Sequence, residues 1–294
     1  MSTQVRPPAR QPSTRQVPLG DGASLWTTAS GGGPSVVVCC HGGPGLWDYL
    51  GPLAELLDDA CTVIRFDQRG CGRSSGGGPF TIAQAVDDLD RLRAAWGVES
   101  CHVLGHSWGA ELALRYAARH PARTRGVVYL AGVGADNSYR DPYRAESRRR
   151  LGPDLARWQE LAARERTPDE EREWCLLQWR PDFSPGPAAA EHALALWNSR
   201  PAGTAVNLAA NRQLWTDRLT TSLLREAVSV TSPVRMIFGA DDPRPWTAND
   251  PLLGALPRAD RIVIPDAGHS PWSEQPQATR RAILDALIRT ISTS

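Results

Sequence analysis

Short apolar runs bounded by Gly, Pro or Asp recur along the chain at 36–40, 62–66, 102–104, 127–130, 234–238 and 261–264. They lack polar alternation, and strands of that kind suit a parallel sheet covered on both faces, where neither side of a strand meets water. Helical spacing fills the gaps. Over 81–96 the apolar residues Ile82, Val86, Leu89 and Trp96 fall one or two turns apart, with Asp87, Asp88, Arg91 and Arg93 between them. The stretch 108–119 runs into the stop His120-Pro121, and 278–291 repeats the pattern through Ile283, Leu287 and Ile291. Strand and helix alternate, so the pattern predicts an α/β class with a mostly parallel sheet covered by helices.

That alternation fails over 135–228, which is rich in Arg and Glu and helix-like. The predicted organisation is therefore a disordered lead-in over 1–17, a core over 18–134 and 229–294, and a helical cap over 135–228. The cap carries Trp158, Trp174, Trp179, Trp197 and Trp215. Rings of that size either form the cap's own core or line a cleft against the main domain.

Composition narrows the chemistry. All 33 basic residues of the 294 are arginine. Without lysine, a Schiff base, a phosphate loop ending in GK[ST], a kinase strand lysine and a Ser-x-x-Lys dyad are all excluded. The 32 acids leave a net charge of +1, which offers no charge argument for nucleic acid or an anionic membrane as partner. The polar, proline-rich start has no apolar stretch suited to a signal peptide or a membrane span. Six cysteines (Cys39, Cys40, Cys61, Cys71, Cys101, Cys175) have no CxxC spacing, and most lie in or beside strand-like runs. They read as reduced, buried thiols of a cytoplasmic protein.

Residues 102–110 read HVLGHSWGA, with Ser107 at the centre of a G-x-S-x-G between a strand-like and a helical stretch. A serine on so sharp a turn is strained and exposed, and small residues two places to either side let the chain pass closely. The pattern is common by chance, so its weight comes from context and from partners in order. After 234–238 the loop GADDPRPW offers Asp241 and Asp242 at a strand's C-terminal end, where open α/β sheets form ligand sites. Asp242 is favoured, with Asp241 the alternative. The next run leads to His269 in PDAGHSPW; His41, His102, His106, His120 and His192 are less well placed.

Those three residue types belong together. A serine hydroxyl is a poor nucleophile until an imidazole takes its proton, and the imidazole needs a carboxylate to fix its tautomer and stabilise its cation. Donors for the developing oxyanion are expected from the backbone amides of Gly43, in the HGGPG turn at 41–45, and of Trp108, after the serine.

HGGPG, FDQRGCGRS at 66–74, GHSWG, GADD and DAGHS together resemble the α/β-hydrolase fold and, within it, the proline iminopeptidase family, over about residues 20–135 and 230–290. The resemblance implies Ser107, Asp242 and His269 as a catalytic triad, Gly43 and Trp108 at the oxyanion, and a small-molecule or short-peptide substrate. No metal site or cofactor motif is evident. Asp67, Gly70 and Gly72 read as turn-formers. The cap departs from the family. Iminopeptidases of this kind hold the substrate's free amino group with cap glutamates, one after a Trp and one beside an Asn, and here those positions read Trp179-Arg180 and Val206-Asn207. Arg180 would repel an ammonium and favour an acidic or neutral substrate. Trp179, Arg180 and Trp197 are the candidate substrate contacts. Glu170, Glu171, Glu173 and Glu191 are either substitute acids or solvated helix faces.

The leading expectation is a serine hydrolase cleaving a small amide, peptide or ester through an acyl-enzyme. An esterase, lactonase or thioesterase of the same fold is the alternative. A non-catalytic small-molecule receptor is the alternative of another class, since a fold does not fix a function.

Overall fold

The computed structural model describes residues 12–289. Its centre is an eight-stranded sheet in the order β1-β2-β4-β3-β5-β6-β7-β8. The strands are β1 (Ser13–Pro18), β2 (Ser24–Gly31), β3 (Ser35–Cys40), β4 (Cys61–Phe66), β5 (Cys101–His106), β6 (Thr124–Leu130), β7 (Val234–Gly239) and β8 (Ala259–Ile264). From β4 to β8 every neighbouring pair is parallel, while β1 and β2 form an antiparallel edge.

Residues along β3 explain why both faces are covered. Successive side chains of a strand point to opposite faces. Val37 and Cys39 pack with Leu50, Leu53, Ile283 and Leu287 on one side. Val38 and Cys40 pack with Val86, Leu89, Leu112 and Tyr116 on the other. The helices on these faces include α1 (Gly51–Glu55), α2 (Ile82–Ala95) and α3 (Trp108–Arg119). Helix α2 starts where Thr81 caps the Gln84 amide at 3.1 Å, and it buries Ile82, Val86, Leu89 and Leu92.

Between β6 and β7, where the pattern predicts a helical cap, lie α4 (Arg140–Leu151), α5 (Leu155–Ala162), α6 (Pro168–Trp179), α7 (Ala188–Asn198), α8 (Leu208–Thr220) and α9 (Leu223–Ala227). The chain closes with α10 (Asp250–Ala255), α11 (Pro271–Glu274) and α12 (Pro276–Arg289). None of the described helices is long and apolar enough to cross a membrane.

Two expectations at the ends of the chain need amendment. Residues 13–17, read as disordered lead-in, belong to β1, which pairs with β2 from Ser13 opposite Ala29 to Pro18 opposite Ser24. Only Val17 of β1 is buried, so its ladder hydrogen bonds and not its side chains make it a strand, and no apolar run marks it. Residues 1–11 and Ile291 lie outside the described residues.

Strand order locates the site. β3 lies between β4 and β5, so the chain steps to one side for β4 and crosses back to the other for β5. The crevice beyond the C-terminal ends at such a reversal is where open α/β sheets bind ligands. HGGPG follows β3, and Ser107 follows β5.

Candidate active site

Ser107 sits between β5 and α3 with φ 57° and ψ −119°. A positive φ is unfavourable for a residue with a β-carbon and persists only where packing over-determines it. The determinants are Gly105 and Gly109. A β-carbon on Gly105 would collide with the Gly109 backbone, and one on Gly109 with the Cys40 carbonyl, so α3 can start this close to β3 and β5 only with glycine at both places. Trp108 begins α3 and is therefore among the helix positions whose N–H has no intrahelical acceptor.

Asp242 and His269 come from the loops after β7 and β8. His269 Nδ1 lies 2.6 Å from Asp242 Oδ2, and both residues are buried. Burial pushes the Asp242 carboxyl up, but the charge and hydrogen bond of His269 and the Arg244 guanidinium outweigh it and hold it below the usual carboxylate range. Asp241, the alternative acid, faces elsewhere and accepts from Ser184 Oγ at 2.9 Å. The His269 amide donates to the Asp182 carbonyl at 2.7 Å, which fixes the loop against the turn that follows α6.

The HGGPG loop is held from both ends. His41 Nε2 accepts the Gln68 amide at 3.0 Å, the Gln68 side chain donates to the His41 carbonyl at 2.7 Å, and Trp108 Nε1 donates to Gln68 Oε1 at 3.2 Å. Gln68 thus joins this loop to the start of α3. Sequence reasoning passes over it, taking DQRGCGRS as turn-formers only. Asp67 does hold its turn, accepting from the Arg73 amide at 2.7 Å and the Asp48 amide at 2.6 Å. One residue on, the Gly42 amide donates to Tyr49 Oη at 2.8 Å, and at the far end the Gly45 carbonyl accepts the Asn207 amide at 2.8 Å. A β-carbon on Gly42 would reach 3.0 Å from the Ser107 β-carbon, so loop and serine are immediate neighbours.

Ser107, His269 and Gly43 line one cavity of about 150 Å³. A family model described as the alpha/beta hydrolase fold matches residues 35–276. The chain is an α/β-hydrolase. It is proline iminopeptidase-like in sequence, being 36% identical over 124 residues to the proline iminopeptidase of Saccharolobus solfataricus, a match covering 40% of this chain and 38% of that protein. The candidate carbamate hydrolase RutD of Cronobacter turicensis is 31% identical over 243 residues, covering 81% of this chain and 85% of that one. Among solved structures, a proline iminopeptidase-related protein from Thermus thermophilus superposes with a TM-score of 0.72 at 26% identity, covering 95% of this chain and 98% of that one.

In this hydrolase the helices between β6 and β7 form the far wall of the cavity through Tyr143, Gln178, Trp179, Phe183 and Leu196. Trp179 lines it, meeting Trp47 edge-on at 6.1 Å. Arg180 does not. Its guanidinium pairs with Asp154 at 2.8 Å, because helical rotation carries it away from the face Trp179 presents. Trp197 lies against Trp179 at 6.3 Å and under the Arg200 guanidinium, one layer back. Glu170 completes a capping box with Thr167, and Glu171 and Glu173 pair with Arg166 and Arg157. Asn207 caps α8 and donates to the Gly70 carbonyl at 2.8 Å.

The cation at the cavity is Arg244, which the sequence reading does not single out. It pairs with Asp182 at 2.9 Å and Asp242 at 3.3 Å, and lies over the Tyr143 ring at 4.1 Å. Burial works against its charge, but the facing Asp182, Tyr143 and Asp242 hold its pKa well above the ordinary arginine value. Apart from the buried His269–Asp242 couple, then, the cavity wall presents one cation matched by one anion.

Proposed function

We propose that this protein is a serine hydrolase that cleaves a small amide, peptide or ester bond through an acyl-enzyme on Ser107. The observation carrying the reading is the positive-φ Ser107 opening into the same cavity as His269, whose other ring nitrogen is held by Asp242 at 2.6 Å.

The chemistry runs in two halves. Asp242 keeps the proton on His269 Nδ1, which leaves Nε2 free to take the Ser107 hydroxyl proton as Oγ attacks the substrate carbonyl. Negative charge develops on the carbonyl oxygen, and the amides of Gly43 and Trp108 receive it as dipoles already aimed, with no cationic side chain needed. The imidazolium returns its proton to the departing amine or alcohol. Water then repeats the sequence on the acyl-enzyme and frees Ser107.

The cavity favours a small, uncharged acyl group. Its far wall is largely apolar, and at about 150 Å³ it is smaller than pockets that enclose drug-sized ligands. Arg180 no longer argues for an anionic substrate, since it pairs with Asp154. A carbamate is the second substrate class to test, because the relative matched over 85% of its length carries that activity in its name. Six free and buried cysteines suit a reducing compartment, so we assign the enzyme to the cytoplasm.

A fluorophosphonate should label Ser107, and Ser107→Ala should abolish both labelling and turnover in a panel of p-nitrophenyl esters, aminoacyl arylamides and carbamates. Full turnover by the alanine variant would end the acyl-enzyme reading. Faster turnover of proline arylamides than of neutral esters would reverse the substrate assignment.

A further inference from the structure

Two buried polar side chains that the hydrolytic chemistry does not use form a line across the site. The Gly42 amide donates to Tyr49 Oη at 2.8 Å, Tyr49 Oη lies 2.7 Å from His106 Nδ1, and His106 Nε2 lies 2.8 Å from the His269 carbonyl oxygen. The direction of every hydrogen bond follows from one end. A carbonyl oxygen only accepts, so the His106 proton is on Nε2. Burial, followed by the neighbouring charge of His269, pushes the His106 pKa well below the ordinary histidine value, so the ring is neutral and Nδ1 has no proton. Nδ1 must then accept from the Tyr49 hydroxyl, whose oxygen is left to accept the Gly42 amide.

The line joins two loops and the end of a strand, all of separate origin. Gly42 and Tyr49 flank the turn after β3, His106 ends β5 next to Ser107, and His269 follows β8. The rings cannot swing out of register. Trp272 meets His106 edge-on at 4.7 Å and stacks with Tyr49 at 6.5 Å, and the His106 and His269 rings lie 4.7 Å apart. Tyr49 and His106 are 8% and 2% exposed and border the cavity, and the hydrogen bonds that orient them are made to protein partners.

We propose that Tyr49 and His106 are positioning residues that hold the peptide preceding the Gly43 amide and the backbone of His269 at fixed spacing on either side of Ser107. The proposal rests on the acyl-enzyme reading above. Oxyanion donor and general base must both be in place when charge develops, and a misplacement of about 1 Å can cost about 10²-fold in rate. A neutral His106 also keeps a second positive charge away from His269 when His269 becomes an imidazolium.

The test is Tyr49→Phe in the full chain, which removes one oxygen and leaves ring packing unchanged. On the best ester of the panel, kcat should fall about 10- to 100-fold, less than the 10²–10³ typical of losing an oxyanion donor outright, with KM within about twofold. Affinity for a boronic acid that mimics the tetrahedral intermediate should fall in parallel with kcat, a response that loss of stability alone does not produce in folded enzyme. Where Tyr49→Phe yields no folded protein, His106→Gln is read in the same way, since its amide can still donate to the His269 carbonyl. A kcat within twofold of the parent in the folded variant overturns the relay. Failure of the parent itself to label or turn over any substrate is a separate outcome, one that overturns the acyl-enzyme reading and the relay with it.

Discussion

The loops beyond the sheet and the helices between β6 and β7 face each other across one cavity and are built on opposite principles. Ser107, Asp242, His269 and Gly43 follow four parallel strands, and hydrogen bonds between loops fix each one's surroundings. The facing helices carry their charge largely in exposed Arg–Glu pairs, such as Arg157 with Glu173 and Arg164 with Glu170. Two guanidinium groups, that of Arg150 partly buried and that of Arg218 buried, reach from them to the core. Arg150 of α4 reaches the carbonyls of Pro181, Phe183 and Asp241 at 2.7–3.0 Å, and Arg218 of α8 binds Glu111 of α3 at 2.5 Å. A planar fork with five donors can satisfy several acceptors at once, which an ammonium on a flexible stem does less well. In a chain without lysine, arginines join one layer to the other, and the proposed chemistry calls only on backbone dipoles for its oxyanion.

The largest effect should come from breaking the core side of this contrast. Asp242→Asn preserves shape but no longer holds the productive His269 tautomer, and kcat should drop about 10⁴-fold, with a lower denaturation midpoint because buried Arg244 loses one of its two carboxylate partners. Steady-state kinetics beside a urea titration measures both, and a loss under tenfold would assign the acid's role to another residue.

Next is the joint between the layers. Glu111 is fully buried and accepts from Arg115 at 2.7 Å and from Arg218 at 2.5 Å. Glu111→Gln leaves two buried cations undercompensated and should cost about 3–5 kcal/mol, seen as a lower urea midpoint at constant slope. A cost under 1 kcal/mol would mean that the joint rests on apolar packing alone.

A smaller, pH-dependent contribution comes from Asp90 on α2. Partial burial pushes its carboxyl up, but hydrogen bonds from Arg93, Arg123 and Tyr116 outweigh this and bring it down to about 2. A carboxyl lowered on folding contributes stability that is fully present above its unfolded value, near 4, and is lost as pH falls through about 2. Asp90→Asn should therefore be less stable by about 2 kcal/mol at pH 7, with the difference narrowing below about pH 4 and closing as pH falls below about 2. A gap that stays constant across that range would detach it from ionisation.

The two regions also differ in how far the sequence reveals them. Buried parallel strands leave continuous apolar runs, and G-x-S-x-G, GADD and DAGHS occupy loops where few residue types satisfy the geometry, so Ser107, Asp242 and His269 stand out as candidates before any coordinates. The edge strand β1 cannot, because its pairing is made by the backbone. Gln68 and Tyr49 escape notice, and His106 is set aside in favour of His269, for a related reason: each has a partner distant in sequence, and neither a tyrosine nor a second histidine signals that partner. Arg244 lies two residues beyond Asp242, where a sequence reading stops at the acid and takes the cleft's cation from the helices.

The smallest predicted effect concerns that misplaced cation and tests the comparison most directly. Arg180 is 30% exposed and Asp154 44%, so their pair is screened by water and is worth about 0.2–1 kcal/mol. Its guanidinium faces Asp154 and the Leu151 carbonyl, away from the wall Trp179 presents. Arg180→Ala should therefore lower stability by under about 1 kcal/mol and change KM by less than twofold for a neutral ester and for an anionic one alike. Arg244, by contrast, is in contact with the cavity and with Asp242 at once, so Arg244→Met should affect kcat as well as KM. If Arg180→Ala instead selectively slowed the anionic ester by fivefold or more, the side chain would have to reach the cleft in solution. Substrate charge would then be read by the solvated pairs of the helices, and the division between a fixed core and a solvated wall would not hold.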